Sequence, residues 1–327
     1  MKIGIISDVH RNPERVSYGV RKLKDLGVER LVLNGDIGEA GNVQESQEYT
    51  ARILEPVIRS GLETYIQPGS HETLSGFGVV VDTLSQKHSF LVNMLHTPFV
   101  DFAGYRLAFL PGSDVHSGGE YHLQAELPSG QYAVLKEGLV PLESPAALES
   151  FAREKRLKGV LHNTKMYDLA AFVENPQKTI VVCHIPACFP IGPKGVDFAY
   201  FATNADGELI PGMALEQGIR RQIKEKNGRD ISAQDLERIA ETYGFIFHKR
   251  NVGNKNLRKL FDELGIKYAI NGHIHESGHH AHNKKGNAVP EYTPHQELFW
   301  NSGCLDQEQM GILFLGDSGV AYQNVKL

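Results

Sequence analysis

Two short polar pairs of residues stand near opposite ends of the chain, and each directly follows an apolar run. Asp8 and His10 form the first pair, and His273 and His275 form the second. In an extended strand, residues two positions apart point to the same side, so each pair could aim two donor atoms at one point. A carboxylate and three imidazoles together are typical of the inner ligands of a transition-metal site.

The composition is that of a soluble globular protein. The chain has 327 residues, 41% of them hydrophobic, and its net charge is −5, from 34 Lys and Arg against 39 Asp and Glu. Mild acidity gives no overall electrostatic case for nucleic-acid binding. No apolar run approaches the roughly 20 residues that span a bilayer, so no membrane association is expected. Three cysteines without a CxxC spacing favour a reduced, cytoplasmic protein.

The first third of the chain alternates strands with helices. Periodicity and glycine stops predict strands and helices in the order strand Lys2–Ser7, helix Pro13–Leu26, strand Arg30–Asn34, helix Glu45–Ser60, strand Thr64–Ile66 and helix Gly78–Gln86. Units of this kind form a parallel sheet with helices on its faces. Ligands of such sheets bind at the carboxyl ends of the strands, which is where Asp8, His10, Asp36 and His71 fall.

The rest of the chain has a less regular pattern. A hairpin is expected over residues 99–110, a long loop that could act as a lid over 111–144, and irregular structure over 189–228. The other predicted elements are helices Pro145–Lys158, Asn163–Asn175, Ser232–Tyr243 and Asn254–Leu264, strands Thr179–Val182 and Tyr268–Asn271, and closing strands Leu298–Trp300, Gly311–Leu315 and Val320–Lys326.

Five blocks of polar residues follow strands in a fixed order. They are Asp8-Val9-His10, Gly35-Asp36, Gly69-Ser70-His71-Glu72, His184, and Gly272-His273-Ile274-His275. From Lys2 to about His275 this order resembles the calcineurin-like metallophosphoesterase superfamily. The resemblance implies an α/β sandwich of two facing mixed β-sheets flanked by α-helices. It also implies one domain over residues 1–327, with insertions at about 112–177 and 189–253 that form a cap.

The same resemblance implies two divalent metal ions, which could be Mn, Fe, Zn or Ni. A hydroxide that bridges the ions would attack the phosphorus, and His71 would assist the leaving group. Carried over by position, the ligands of the first metal are Asp8, His10, Asp36 and His275. Those of the second metal are Asp36, His184, His273 and the side chain at position 70.

Three positions leave alternatives open. Ser70 replaces the asparagine of the family pattern, and its shorter neutral hydroxyl predicts a weaker second metal site. Arg11 directly follows a predicted ligand, so its guanidinium would contact the substrate phosphate or else be an ordinary surface arginine. His184 competes with His162 for the fourth block, and the better defined strand before His184 favours that residue.

The leading hypothesis is metal-dependent hydrolysis of a phosphate mono- or diester. The partner would be a phosphorylated small molecule or another phosphodiester. One alternative is a nuclease acting on DNA or RNA, although no further DNA-binding segment is recognised after His275. Another is a binding protein with a weakened site, and Ser70 is the feature that points to it.

Overall fold

The computed structural model describes residues 1–10, 12–38, 41–114, 119–154 and 156–327. The helices are α1 (Glu14–Asp25), α2 (Val43–Ser60), α3 (Val79–Lys87), α4 (Pro145–Arg153), α5 (Gly212–Asn227), α6 (Ala233–Thr242) and α7 (Lys255–Leu264). The strands up to residue 141 are β1 (Lys2–Ile6), β2 (Arg30–Asn34), β3 (Glu63–Gln67), β4 (Leu91–Asn93), β5 (Phe99–Phe102), β6 (Tyr105–Leu110), β7 (Tyr121–Gln124), β8 (Gly130–Leu135) and β9 (Gly138–Pro141). The later strands are β10 (Leu157–Lys165), β11 (Thr179–Cys183), β12 (Phe198–Thr203), β13 (Leu209–Pro211), β14 (Ile246–Asn251), β15 (Tyr268–Asn271), β16 (Ala281–His282), β17 (Leu298–Asn301), β18 (Gln309–Gly316) and β19 (Gly319–Lys326).

Two six-stranded mixed sheets form the centre of the fold. The first has the order β19-β18-β1-β2-β3-β4, and the second has the order β16-β17-β15-β11-β6-β5. Strands β1 to β4 are parallel, as are β6, β11, β15 and β17, while the outer hairpin strands run antiparallel. Parallel neighbours end at the same edge, so the polar loops after β1, β2 and β3 meet those after β11 and β15.

The two sheets pack face to face through a shared apolar core. Ile3 and Ile5 of β1 are completely buried and belong to the same apolar cluster as aromatic residues of the second sheet, among them Tyr105 and Trp300. Ile6 points to the opposite face, where it packs against the helices that cover the first sheet. This alternation explains why β1 is apolar on both sides, as expected for a strand in the interior of a sandwich.

Helices cover the outer face of each sheet. Helix α2 begins at the N-cap Asn42, whose side chain accepts a hydrogen bond from the Glu45 amide, and ends at Gly61 with φ 69°. Helices α1 to α3 pack on the first sheet and α7 packs on the second. The predicted class, two facing mixed sheets flanked by helices, is confirmed.

The segment 112–177 differs from its prediction. The expected long loop over 111–144 contains strands β7, β8 and β9, and the expected helix over 163–175 is replaced by the end of β10 and a 3₁₀ turn at Met166–Ala171. Strands β7 to β10 form a four-stranded sheet. Helix α4 is also shorter than predicted and ends at Arg153. These strands are only partly buried, which weakens the alternation on which a sequence prediction depends.

The segment 189–228 is also more regular than predicted. It contains β12, β13 and the 16-residue helix α5, and β14 joins β12 and β13 in a three-stranded sheet. We call this sheet of β12, β13 and β14 the cap sheet. Two glycines, Gly212 and Gly218, reduce the helical signal of α5 in the sequence because glycine disfavours a helix interior.

Candidate metal centre

The predicted ligands converge where the two sheets end. Asp8 follows β1, Asp36 follows β2, and His184 and His273 follow β11 and β15 of the second sheet. Glycines allow this close approach: Gly35 has φ 80°, and a Cβ atom on it would lie 2.5 Å from His184 Nδ1. The structure therefore brings together all the predicted ligands that follow strands in both sheets.

The polar pairs do not lie on extended backbone, so the strand-alternation argument is wrong for them. β1 ends at Ile6 and β15 ends at Asn271, before either pair begins. Asp8, His10 and His273 have positive φ values of 55°, 44° and 66°, as does Asp36 with 51°. Left-handed backbone costs non-glycine residues of order 1–3 kcal/mol each and persists mainly at functional sites. These tight turns, and not strand periodicity, aim the side chains at one another.

Asp36 lies at the centre of the cluster. Its Oδ2 atom is 3.1 Å from His184 Nε2, 3.9 Å from His10 Nε2 and 4.0 Å from His71 Nε2. Burial alone would raise the pKa of this carboxyl, but the charge of His184 and its neighbours holds the pKa well below the ordinary value. Asp36 is therefore a buried, ionised carboxylate that two separate groups of imidazoles approach.

Within the part of the chain that the structure describes, three groups of side chains have donor atoms within 4.8 Å of one another. They are His10, Asp36 and His71; Asp36, His184 and His273; and His10, His275 and Cys304. Asp36 belongs to two of these groups, as a bridging carboxylate must. Asp8 completes the His10 side, because its Oδ1 atom lies 3.3 Å from His275 Nε2 and 3.8 Å from His10 Nε2.

The histidines differ in the direction of their pKa shifts. Burial opposes protonation of His184, but Asp36 raises its pKa to about 10. Burial likewise opposes protonation of His275, and Asp8 and Cys304 raise its pKa to about 11. For His273, burial and the charge of His184 lower the pKa to about 4. The positive charges of His184 and His275 therefore lie beside Asp36 and Asp8, where metal cations would bind.

The geometry of His184 fits a metal ligand. Its Nδ1 atom lies 2.9 Å from the carbonyl oxygen of Asn34, a contact that fixes the ring and directs Nε2 towards the centre. The ring is completely buried, yet Nε2 makes no hydrogen bond of good geometry with any described residue. Nε2 and Asp36 Oδ2, 3.1 Å apart, could therefore both bind a cation that replaces the ring proton.

Ser70 bonds directly to Asp36. Its amide donates to Oδ1 at 2.5 Å, and its hydroxyl lies 2.8 Å from Oδ2 and 3.0 Å from Oδ1. The His71 amide donates to Oδ1 as well, at 3.1 Å. The serine that replaces the family's asparagine thus helps to orient Asp36, and whether it also binds metal stays a prediction.

Glu72 is a structural residue of the site that the sequence interpretation did not assign. This completely buried carboxylate accepts hydrogen bonds from the amides of Ile37 (2.7 Å), Gly38 (3.0 Å) and Gly69 (2.8 Å). Burial, followed by the charge of Asp36, raises its pKa to about 7. Its position directly after His71 was the available signal. Glu72 ties the loop after β2 to the loop after β3.

Replacement of Glu72 with alanine is expected to lower the free energy of unfolding by about 3 kcal/mol. The substitution leaves three buried amides without a partner, and each such group costs about 1–3 kcal/mol before the loops relax. Urea unfolding followed by the fluorescence of the single tryptophan, Trp300, measures the change. The exposed residue Glu126 provides the matched control, Glu126→Ala, which is expected to change stability by less than about 0.5 kcal/mol. An equal effect of both variants would contradict the role of Glu72.

Cys304 is the second residue that the sequence interpretation did not assign. It is buried, its thiol donates to the carbonyl oxygen of Asp8 at 3.3 Å, and it lies beside His10 and His275. A sulfur at this position would add a soft donor to the predicted ligands of the first metal. In the sequence, Cys304 directly follows Asn301-Ser302-Gly303, at the end of β17.

The remaining sequence predictions have mixed outcomes. Arg11, the predicted phosphate contact, lies outside the described residues. His162 is on β10 with its ring 6.0 Å from that of Tyr121, so His184, and not His162, lies at the centre. In the polar segment after His275, His282 is buried between the aromatic rings of Phe189 and Phe299, away from the predicted ligands.

A cavity of about 550 Å³ opens on the centre. His10, Asp36, Ser70, His71, His273 and His275 form one side of it, and residues of the cap sheet form another. Volumes of this size are typical of small-molecule sites. The arrangement is therefore a polar, metal-ligating floor beneath a cavity that a substrate could enter.

Comparison with known proteins assigns the family. Residues 1–277 match the profile of the calcineurin-like phosphoesterases, so the chain belongs to that family. The predicted class, a hydrolase acting on phosphate esters, is confirmed at this level. A comparison with curated protein sequences finds no significant match. Among the described residues, no helix combines the length and apolar character that a membrane crossing requires.

A search of solved structures finds similarities at low sequence identity. A protein of Thermus thermophilus is 12% identical, with 99% of each chain covered and a TM-score of 0.49. A dimetal phosphatase from Danio rerio is 10% identical, with 100% of this chain and 98% of the other covered and a TM-score of 0.48. An archaeal phosphodiesterase is 16% identical over 43% of this chain and 82% of its own, with a TM-score of 0.24. The family assignment rests on the sequence match and not on these similarities.

Proposed function

We propose that this protein hydrolyses a phosphate mono- or diester in a centre that holds two divalent metal ions. The observation that carries the proposal is the position of Asp36, which is shared by one group of ligands with His10 and another with His184 and His273. Mixed nitrogen and oxygen donors suit Mn, Fe, Zn or Ni. When bound, such ions neutralise the phosphoryl oxygens and lower the pKa of a water molecule to be used as nucleophile.

The protein's own residues would position the ester and supply a proton. Asp8, with His10 and His275, would hold the first ion, and His184 and His273 the second, with Asp36 between them. His71 is the most accessible imidazole of the group, 40% exposed, and it lines the cavity. We assign it to donation of a proton to the leaving oxygen, which converts a poor alkoxide leaving group into an alcohol.

The inserted segments would complete the site. The cap sheet, within the insertion at 189–253, contributes Phe201, Pro211 and Arg250 to the cavity wall. From the insertion at 112–177, Asp114 is the described residue that reaches this cavity. These contacts support the proposal that the insertion at 189–253 forms most of the cap.

Hydrolysis assays test the proposal directly. Protein reconstituted with Mn²⁺ is expected to cleave bis(p-nitrophenyl) phosphate or p-nitrophenyl phosphate, and chelation by EDTA is expected to abolish the rate. Absence of hydrolysis of both esters after reconstitution with Mn²⁺, Fe²⁺, Zn²⁺ and Ni²⁺ in turn would overturn it.

Metal loading is expected to release about two protons per chain from histidine rings at about pH 7.5, and up to one more from the water molecule that the ions would ionise. The pKa values of His184 (about 10) and His275 (about 11) lie above this pH, so both rings are protonated in the metal-free protein. A metal ion replaces the proton on each ring, whereas the ionised Asp8 and Asp36 have none to release. Titration calorimetry in HEPES and in Tris, whose ionisation enthalpies differ, measures the count.

A His184→Asn variant provides the internal control for this measurement. It removes one of the two protonated rings, so the release should fall by about one proton. Release of fewer than about 0.5 protons by the unmodified protein would show that these rings are neutral before metal binds.

A further inference from the structure

The cap sheet has one face that carries mostly apolar side chains and no helix. In its register, Phe201 pairs with His248, and Thr203 pairs with both Leu209 and Ile246. Residues two apart along a strand share a face, so Arg250 of β14 lies on the same side as His248 and Ile246. We call this side the open face, and it consists of Arg250, Ala199, Phe201, His248, Pro211, Thr203, Leu209 and Ile246.

The opposite face of the cap sheet is covered by helices α5 and α6. Phe247 packs there against Ile219, Leu236 and Ala240, and the Tyr200 hydroxyl donates to Glu216 at 2.7 Å. By contrast, Leu209 and Ile246 of the open face are 62% and 58% exposed. Large aliphatic side chains that protrude next to a cavity are typical of a binding surface.

The open face is continuous with the metal centre. The Ser277 hydroxyl donates to the Phe198 carbonyl at 2.5 Å, which holds the start of β12 beside the loop of His275. Phe201, Leu209 and Arg250 line the same cavity as the metal-ligating side chains. From Arg250 to Ile246 the strand advances four residues, or about 13 Å. A molecule with its phosphate at the metals can therefore extend along the whole open face.

The chemistry of the open face favours a hydrocarbon over a sugar. The Thr203 hydroxyl is already bonded to His248 at 2.9 Å, and the outer row offers only Leu209 and Ile246 beside it. Arg250 lies over the Phe201 ring at 5.3 Å, at the end near the metals, where a phosphate oxygen would be within reach. A polar substituent that lies against Leu209 and Ile246 would lose part of its hydrogen bonding to water without replacement.

We propose that the open face binds an alkyl or acyl chain of the substrate, so that the enzyme selects phosphate esters with a long hydrocarbon substituent. This inference rests on the proposed function, because it takes the phosphate of the same molecule to lie at the metal centre. The chain lies on Phe201, Leu209 and Ile246, and Arg250 contacts the phosphate end.

A series of alkyl p-nitrophenyl phosphate diesters tests this selectivity with one leaving group. Complete burial of one methylene group of the substrate should raise kcat/KM about four-fold. Burial of the same group against a half-open surface should raise it about two-fold. From methyl to octyl, kcat/KM of the Mn²⁺-loaded protein is therefore expected to rise about 100-fold. No rise with chain length would overturn the inference, whereas no hydrolysis of any diester or of p-nitrophenyl phosphate would instead count against the proposed function.

Two leucines provide a matched pair of variants. Leu209→Ser is expected to reduce the octyl-to-methyl ratio about five-fold or more. Leu139→Ser, at a 40% exposed leucine of β9 outside the cavity, is expected to leave the ratio unchanged. Both side chains are exposed, so the fold should tolerate either change. An unchanged ratio in Leu209→Ser, or an equal loss in both variants, would contradict binding at the open face.

Binding without turnover separates this inference from catalysis. Calorimetry with octyl phosphate, below its critical micelle concentration, is expected to give a Kd at least about 30-fold lower than that of methyl phosphate for the Mn²⁺-loaded protein. Leu209→Ser should reduce this difference. Equal affinity for the two phosphates would overturn the inference even if both were hydrolysed.

Discussion

Replacement of Asp36 with asparagine is expected to lower kcat for bis(p-nitrophenyl) phosphate by on the order of 10³-fold or more. Asp36 Oδ2 lies within 4.0 Å of ring nitrogens of His10, His71 and His184, so one carboxylate serves both groups of ligands. An amide has one good donor oxygen and no charge, and it would not bridge two cations. The steady-state rate at saturating Mn²⁺ measures the effect.

The matched control for this substitution is Asp82→Asn. Asp82 lies on α3, where it accepts a hydrogen bond from Asn93 and takes no part in the metal centre. This variant should keep its activity within about two-fold. Metal content after gel filtration should fall in Asp36→Asn and not in Asp82→Asn. An Asp36→Asn protein with a kcat within ten-fold of the unmodified enzyme would contradict the bridging role.

Replacement of His71 with asparagine is expected to have an effect that depends on the leaving group. For an alkyl ester, kcat should fall by about 10²- to 10³-fold, because a poor leaving group needs a proton in the transition state. For a p-nitrophenyl ester the loss should be less than about ten-fold, since p-nitrophenolate leaves without protonation. Measurement of both rates in the same preparation gives the ratio that matters.

The control for His71 is His96→Asn, at a histidine that is 68% exposed and pairs with Asp82. It should change neither rate. Equal losses for the two leaving groups in His71→Asn would show that this histidine stabilises the bound phosphate and does not deliver the proton.

The central strands could be predicted from the sequence because they are buried on both faces. Arg30–Asn34 and Tyr268–Asn271 have the predicted bounds, and both consist largely of apolar residues. The order of the five blocks then predicted which side chains lie near one another. By contrast, β8 and β10 are half-exposed strands of an insertion, and their weak alternation did not distinguish them from loop or helix.

Within the site, the sequence predicted which residues supply donor atoms better than it predicted their backbone conformation. It did not reveal that Asp8, His10, Asp36 and His273 adopt left-handed turns, because these conformations depend on tertiary contacts. One such contact is the pair of hydrogen bonds from the His273 amide to the Asp8 carboxylate, both at 3.1 Å, between residues 265 positions apart. Cys304 likewise reaches the centre only through the path of the chain after β17.

The most direct test of a two-metal centre is a crystal structure of the Mn²⁺-loaded protein with anomalous data collected at the manganese edge. The account predicts two anomalous peaks about 3.5–4 Å apart with the Asp36 carboxylate between them, one near Asp8, His10 and His275 and the other near His184 and His273. A single peak, or two peaks that do not share Asp36, would contradict it.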